Sequence, residues 1–397
     1  MVAEAPLAAP DVAEDVRVDR LKLPEQVATV KLEDYLVHDD IREGYLRPSS
    51  LTAEEPQLFT GRACDRVRPA EFSGFLRALD RCGMLAAVRT PLGPRSGFLG
   101  VRKSWDNERQ LWILRLVMDR RPRNAKERKL VPAEDTTPHS TCFTDIVLEP
   151  AYVLRLWSTD LPQYYYRMAI SEERARSNVF TAPMNADEFK DTTAVRRLLE
   201  REGFSADSDV GEVYFGLATM AMGDVNATTF GQQGHVTLFR QHGAMKQEEM
   251  LTYRCAPPRG PVYEGVVIDD HCVVAQVPKT KRWRRSKAYM RAVELHGAAQ
   301  MAYASIGVED VEEKRQSGAL TAVARGCEIQ GLRGRAGSPR PRRAALAALT
   351  IALCSLGVAT VELLQRIVGL WVDVLLYRRA GVCSVAGQVR ILPALQE

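Results

Sequence analysis

The chain is 397 residues long, more than one hydrophobic core usually supports, and its 46% hydrophobic content suffices for two or more globular subdomains. Its 54 basic residues against 50 acidic ones leave a net charge of +4, so overall charge does not by itself argue for a nucleic-acid partner and local clusters must carry that case. The eight cysteines are scattered, with no CxxC spacing and no compact cysteine and histidine cluster, which indicates neither a zinc site nor a disulfide framework and suits a reducing compartment.

The N-terminus, MVAEAPLAAPDVAEDV, is small and acidic, unlike a secretory signal, so the protein is expected in the cytoplasm or nucleus and not outside the cell. Residues 1–60 read as a loosely ordered extension with some helix, punctuated by PSS and EEP. From Gly97 the pattern changes: GFLGVRK, a polar break SWDNER, and QLWILRLVMD predict two strands joined by a turn. A further strand is expected at 152–157 and a short helix at 193–201. NATTFGQQGHVTLFRQH reads as a helix with Asn226 as candidate N-cap and Gly243 as its stop.

Next, EGVVIDDHCVVAQV (264–277) predicts strand, tight turn and strand, with Asp269 and Asp270 at the turn. A helix is expected over 286–306, and the last 50 or so residues read as helical. The uncharged run 344–361 reaches the lower edge of a spanning length, but Glu362, Arg366 and Asp373 follow at helical spacings, which suits amphipathic helices in a bundle and no stable membrane insertion. The order of elements predicts an α+β fold in which an antiparallel sheet is backed by helices.

Two aspartates at a hairpin tip are an ordinary solvated turn, but valines flank this pair on both sides. A hairpin buried against helices would hold the carboxylates at a cleft floor, where divalent cations offset their repulsion and a third carboxylate should converge. Asp160, which ends YVLRLWSTD, is the best candidate. Two strands each ending in aspartate would present carboxylates to a pair of Mg²⁺ ions about 3.5 to 4 Å apart, a polymerase-palm pattern, with Mn²⁺ as the alternative ion.

On these residues, the chain resembles a reverse transcriptase of the retroelement type over roughly residues 80–390. KSWDNERQLWILRLVMDRRPRN resembles a fingers hairpin, which places Lys103 and Arg115 on the incoming triphosphate. STDLPQYYYRM resembles the first palm motif, with Asp160 and the Leu161 carbonyl as metal ligands and Tyr165 excluding a 2′-hydroxyl, which favours DNA synthesis. LATMAMGDVNATTFGQQ resembles the next motif, with Gly223 letting the backbone approach the nascent pair and Gln232 beside it. GVVIDDH resembles the double-aspartate motif, with Asp269 and Asp270 as metal ligands and Val267 standing where the family usually has an aromatic residue. Downstream, the resemblance places Lys314 as proton donor to pyrophosphate.

The resemblance implies a right-hand polymerase: extension 1–60, fingers 61–150, palm 151–325 with a fingers insertion at about 175–210, and primer grip with helical thumb 326–397. It implies an RNA or DNA template with primer and deoxynucleoside triphosphates as partners, and leaves oligomeric state unknown. Two clusters, KTKRWRRSKAYMR (279–291) and RGRAGSPRPRR (333–343), contain no acid and could contact phosphates, or could be solvated faces. With no recognisable nuclease, integrase or protease segment, the chain is expected to be a fragment of a longer polyprotein or a truncated copy. The alternative reading is a catalytically decayed or repurposed nucleic-acid-binding protein, kept open by Pro162, Ala221 and Val267.

Overall fold

A computed structural model of the protein describes residues 13–25, 30–130, 137–205, 208 and 211–378. The chain mixes helices with antiparallel sheets and forms two compact units. Met1–Ala133, Pro162–Leu238 and Ser305–Val308 make the first; Glu134–Leu161, Phe239–Ala304 and Glu309–Glu397 make the second.

In the first unit, strands Gly97–Asp106 and Leu111–Asp119 pair antiparallel as the sequence predicts, and the register shifts between Arg102 and Ser104, leaving Lys103 at a bulge. Phe98 joins Phe75 and Phe180 in an edge-to-face aromatic cluster with centroids 4.9 to 6.2 Å apart. Phe75 belongs to helix Pro69–Arg81, whose apolar residues recur at helical spacing and bury Leu76 and Leu79 with it. Helix Thr193–Glu202 is bounded by the Thr192 hydroxyl at its N-cap and Gly203 at φ +74°.

Segment 13–51, read from the sequence as a loose extension, contributes Val16, Leu32, Tyr45 and Leu51 to buried positions. Apart from helix Asp39–Leu46, which buries Ile41 and Tyr45 one turn apart, these residues sit on very short elements, and their burial depends on partners distant in sequence, as when the Tyr45 hydroxyl donates to the Ala169 carbonyl at 2.6 Å. Helix Ala227–Gln241 begins where expected, directly after Asn226, and the Asn226 side chain accepts from the backbone N–H of Leu130 at 2.8 Å.

The second unit is built on a four-stranded antiparallel sheet in the spatial order Val262–Val267, Asp270–Pro278, Tyr152–Asp160 and Gln316–Ala319. The two inner strands pair without interruption from Asp270 opposite Asp160 to Pro278 opposite Tyr152. Alternation along Tyr152–Asp160 separates two faces. Trp157 and Thr159 meet Tyr289 and Tyr303 of the long helix Lys287–Ser305. Leu154 and Leu156, with Cys272 and Val274 of the neighbouring strand, pack on Ala322, Ala324, Cys327 and Ile329.

Those last residues belong to a small sheet of Thr321–Ala324, Cys327–Gln330 and Arg335–Gly337. Its first turn, Arg325 and Gly326, has positive φ at both residues, as a two-residue hairpin of this hand requires. Helices Arg340–Leu356 and Val361–Leu375 follow and pack through Leu346, Ile367, Trp371 and Val374. Gly357 at φ +68° ends the first helix, so the apolar run 344–361 is broken, and among the described residues no helix is long and apolar enough to cross a membrane. The part of the expected thumb segment beyond residue 378 lies outside the described residues.

Gly331 fixes the small sheet to the large one. The Leu154 N–H donates to the Gly331 carbonyl at 3.2 Å, and a Cβ on Gly331 would sit 1.9 Å from the Leu154 carbonyl oxygen. Gly331→Ala is therefore expected to cost about 3 kcal/mol or more. A lowered midpoint in urea unfolding would show it, and an unchanged midpoint would refute the contact.

Candidate active site at the aspartate hairpin

The strands Val262–Val267 and Asp270–Pro278 pair through Val267 opposite Asp270, so the connecting turn is Ile268 and Asp269. The sequence reading placed Asp269 and Asp270 together in that turn; Asp270 is instead the first residue of the return strand, held by its pairing with Asp160. Ile268 adopts φ +55°, a left-handed conformation that costs a β-branched residue more than most and that such turns usually give to glycine. The packed strands on both sides hold this strain. The Asp269 carbonyl accepts from the Leu161 N–H at 3.2 Å, tying the turn to the end of the Asp160 strand.

Asp160 and Asp270 stand opposite each other on adjacent strands, on the face that carries Leu154, Leu156 and Cys272. Burial pushes the Asp270 carboxyl above the usual carboxylate range, and Asp160 pushes it further; Arg325 and Lys314 pull it back in part. Lys314 forms an ion pair with Asp160 Oδ2, although its side chain is 64% exposed. Asp160, Asp269, Asp270, Lys314, Gln316 and Arg325 all line one cavity of about 540 Å³.

The three aspartates that line the cavity suit hard divalent cations, and the Cys272 thiol beside them is kept from ionising by burial; Leu161, whose carbonyl was expected as a further ligand, is buried and is not among the residues that line it. The repulsion that raises the Asp270 carboxyl is the kind a cation would relieve. Among the described residues, however, no three His, Cys, Asp or Glu side chains already converge as a metal-binding cluster. Lys314 on Asp160 supplies the nearest positive charge instead.

The five residues assigned to nucleotide binding lie in the first unit. Lys103 and Arg115 are exposed on the Gly97–Asp119 hairpin, Lys103 at the bulge and Arg115 opposite Val101. Of the three consecutive tyrosines, Tyr164 and Tyr166 are buried, their hydroxyls donating to the carbonyls of Gly231 and Leu116, while Tyr165 is half-exposed. A Cβ on Gly231 would lie 3.4 Å from the Tyr165 ring, so Tyr165 sits beside the helix turn that carries the buried Gln232. Gly223, at φ +120°, approaches the Leu111–Asp119 strand so closely that a Cβ would be 2.2 Å from the Met118 carbonyl oxygen.

The structure adds residues that sequence reasoning passed over. Glu264 and His271 are both buried and bonded at 2.9 Å, and Glu264 also accepts from the Met245 N–H at 2.5 Å. The signal was present, since Glu264 opens the apolar run that carries the aspartates and a buried charge needs a partner. Arg325 left no signal: an arginine before glycine in a turn says nothing of an aspartate 55 residues away whose backbone carbonyl it approaches at 3.5 Å and whose carboxylate charge it offsets.

Because the Asp270 charge is disfavoured by burial and by Asp160, Asp270→Asn is expected to stabilise the metal-free protein by about 1 kcal/mol at neutral pH. The folded-state carboxyl is raised above its unfolded value, so this gain shrinks as pH falls through the raised value, where the wild-type group takes up its proton. Unfolding curves of both proteins at several pH values test this; a variant less stable than wild type at neutral pH would refute it.

No protein-family profile and no curated protein matches the chain. Among solved structures it is similar to a foamy viral protease-reverse transcriptase in complex with double-stranded DNA, at 12% identity and a TM-score of 0.47, over 91% of this chain and 45% of that one. A second structure of the foamy viral protease-reverse transcriptase with double-stranded DNA shares 12% identity at a TM-score of 0.48, over 88% of this chain and 63% of that one. One with an RNA/DNA hybrid shares 11% identity at a TM-score of 0.46, over 88% and 41%. The chain thus spans less than two thirds of the length of these structures.

Proposed function

We propose that the chain is the polymerising core of a retroelement reverse transcriptase, an RNA-directed DNA polymerase that adds deoxynucleotides to a primer 3′-hydroxyl. One observation carries the reading: Asp160 and Asp270 face each other across adjacent strands, and with Asp269 in the turn they line a single cavity. In this reading Asp160, Asp269, Asp270 and the Leu161 carbonyl hold two Mg²⁺ ions, or Mn²⁺ in their place. Bound there, the ions would activate the attacking hydroxyl and stabilise the leaving oxygen of an in-line displacement.

The remaining roles fall to protein groups. Lys103 and Arg115 are assigned to the triphosphate, whose charge they offset. The half-exposed Tyr165 is assigned to the sugar, where its ring excludes a 2′-hydroxyl. Gly223, which has no side chain to intervene, and Gln232 are assigned to the nascent base pair. Lys314 carries a proton within reach of Asp160 and is assigned to the departing pyrophosphate, which leaves more readily once protonated.

A second reading, a nucleic-acid-binding protein that keeps the fold without the chemistry, is favoured by Val267 in the aromatic position and by the Lys314 ion pair on Asp160. Primer extension on an RNA template with Mg²⁺ and deoxynucleotides separates the two. Extension is expected, with Asp269→Asn and Asp160→Asn each lowering it on the order of a thousandfold, and with Tyr165→Ala admitting ribonucleotides. Intact protein that binds the primed template and extends nothing would establish the second reading.

A further inference from the structure

The strand that begins at Asp270 runs straight into a basic strap. From Lys279 to Lys287 there are six cations (Lys279, Lys281, Arg282, Arg284, Arg285 and Lys287) and no carboxylate, and all six are exposed. Among the described residues none of the six makes an ion pair; Lys279 Nζ donates to the Pro150 carbonyl at 2.8 Å. The strap enters helix Lys287–Ser305 at its N-terminus, where the helix dipole is already positive and a further cation is unfavourable.

The strap is also held in place. The Arg155 guanidinium lies 3.6 Å from the Trp283 ring centroid and that of Arg284 lies 4.4 Å from it. Trp283 in turn meets Tyr289 edge-on at 4.9 Å, and Tyr289 packs on Trp157 at 5.6 Å. An arginine from the central sheet is thereby added to the six cations of the strap. The Trp283 ring, contacted by two guanidiniums, is committed to ordering them and not to stacking on a base. Concentrated, ordered and unneutralised positive charge of this kind fits phosphates read without regard to sequence.

Its position separates it from the carboxylates. Pro278 pairs with Tyr152 eight residues along the same two strands whose other end pairs Asp270 with Asp160. At about 3.4 Å per residue this is roughly 27 Å, or about eight nucleotide steps of a duplex strand.

We propose that residues 279–287, with Arg155, form a second nucleic-acid site that grips a phosphodiester backbone about 17 Å from the paired aspartates at its Arg155 end and about 27 Å from them at its Lys279 end. The site goes beyond the nucleotidyl-transfer reading and does not depend on it, because its function is binding. The ligand is the phosphodiester backbone itself, either of a duplex that also reaches the hairpin or of a separate single strand.

The test uses the full chain without nucleotides or divalent metal. Fluorescence anisotropy measures binding of a labelled 20-base-pair RNA/DNA hybrid and of a single-stranded RNA homopolymer across a KCl series. The triple variant Lys281→Ala, Arg282→Ala, Arg285→Ala spares the Trp283 stack. It is expected to lower the slope of log K against log salt by about 2 to 3, and affinity at 0.1 M KCl by tenfold or more. The charge-conserving variant Lys281→Arg, Arg282→Lys, Arg285→Lys should restore both, which a folding defect would not allow. Loss on the hybrid supports a shared duplex, and loss on the homopolymer alone supports a separate strand.

A triple variant with the wild-type salt slope on both ligands overturns the proposal. So does a variant that keeps nucleic-acid affinity but loses sedimentation with phosphatidylserine vesicles, which would make the strap a membrane contact. Wild-type protein that shows the salt-slope difference but extends no primer would overturn the polymerase reading and leave this one standing.

Discussion

Two carboxylates opposite each other in a buried antiparallel ladder are an electrostatic liability, and much of the second unit is arranged around it. Asp160 and Asp270 occupy the last paired positions of their strands, where the sheet ends and a cavity begins. Moved one pair inward they would be enclosed; moved one pair outward they would fall in the turn, beyond the paired ladder. The continuous burial of Cys272 to Ala275 fixes the end of the ladder, and the Ile268 turn conformation is tolerable because those strands cannot yield. Lys314 and Arg325 arrive from separate segments of the chain and offset the remaining charge without removing it. A protein selected only for stability would not keep such an arrangement, since neutral residues at these positions would remove the repulsion.

The sheet that bears the aspartates was legible because its signals are local. Alternating or continuous apolar runs bounded by turn residues mark strands, and an acidic pair between valines invites the question of what neutralises it. The hairpin at 97–119 and the helices at 193, 227 and 287 were legible for the same reason, since period and stop residues agree in each. The exact turn was misread by one residue because either adjacent aspartate satisfies turn chemistry. Only the cross-strand pairing of Asp270 with Asp160 decides between them.

What sequence did not disclose depends on distance along the chain. In the first unit, Arg120, Arg123, Arg174, Asp224 and Glu127 form a buried ion network, with Arg174 to Asp224 at 2.8 Å and Arg123 to Glu127 at 2.7 Å. Burial alone would raise the Asp224 carboxyl, yet Arg120 and Arg174 hold it below the usual range. These residues come from stretches that look like ordinary charged loop, and the network braces the segment bearing Gly223 against the end of the 111–119 strand. The core residues at 13–51 and the partners of Arg325 escaped notice for the same reason: nothing near them in sequence reports the partner.

The two faces of the Tyr152–Asp160 strand carry different duties: odd positions supply Arg155 to the strap and Trp157 to the long helix, and even positions supply Asp160 to the cavity. The strand therefore behaves as a fixed reading frame in three dimensions. Loss or gain of a single codon within it would exchange the faces, sending Arg155 toward the apolar side and withdrawing the carboxylate, while most single substitutions would leave both in place. A change of length within 152–160 should therefore displace Arg155 and Asp160 together, whereas a single substitution removes at most one of them.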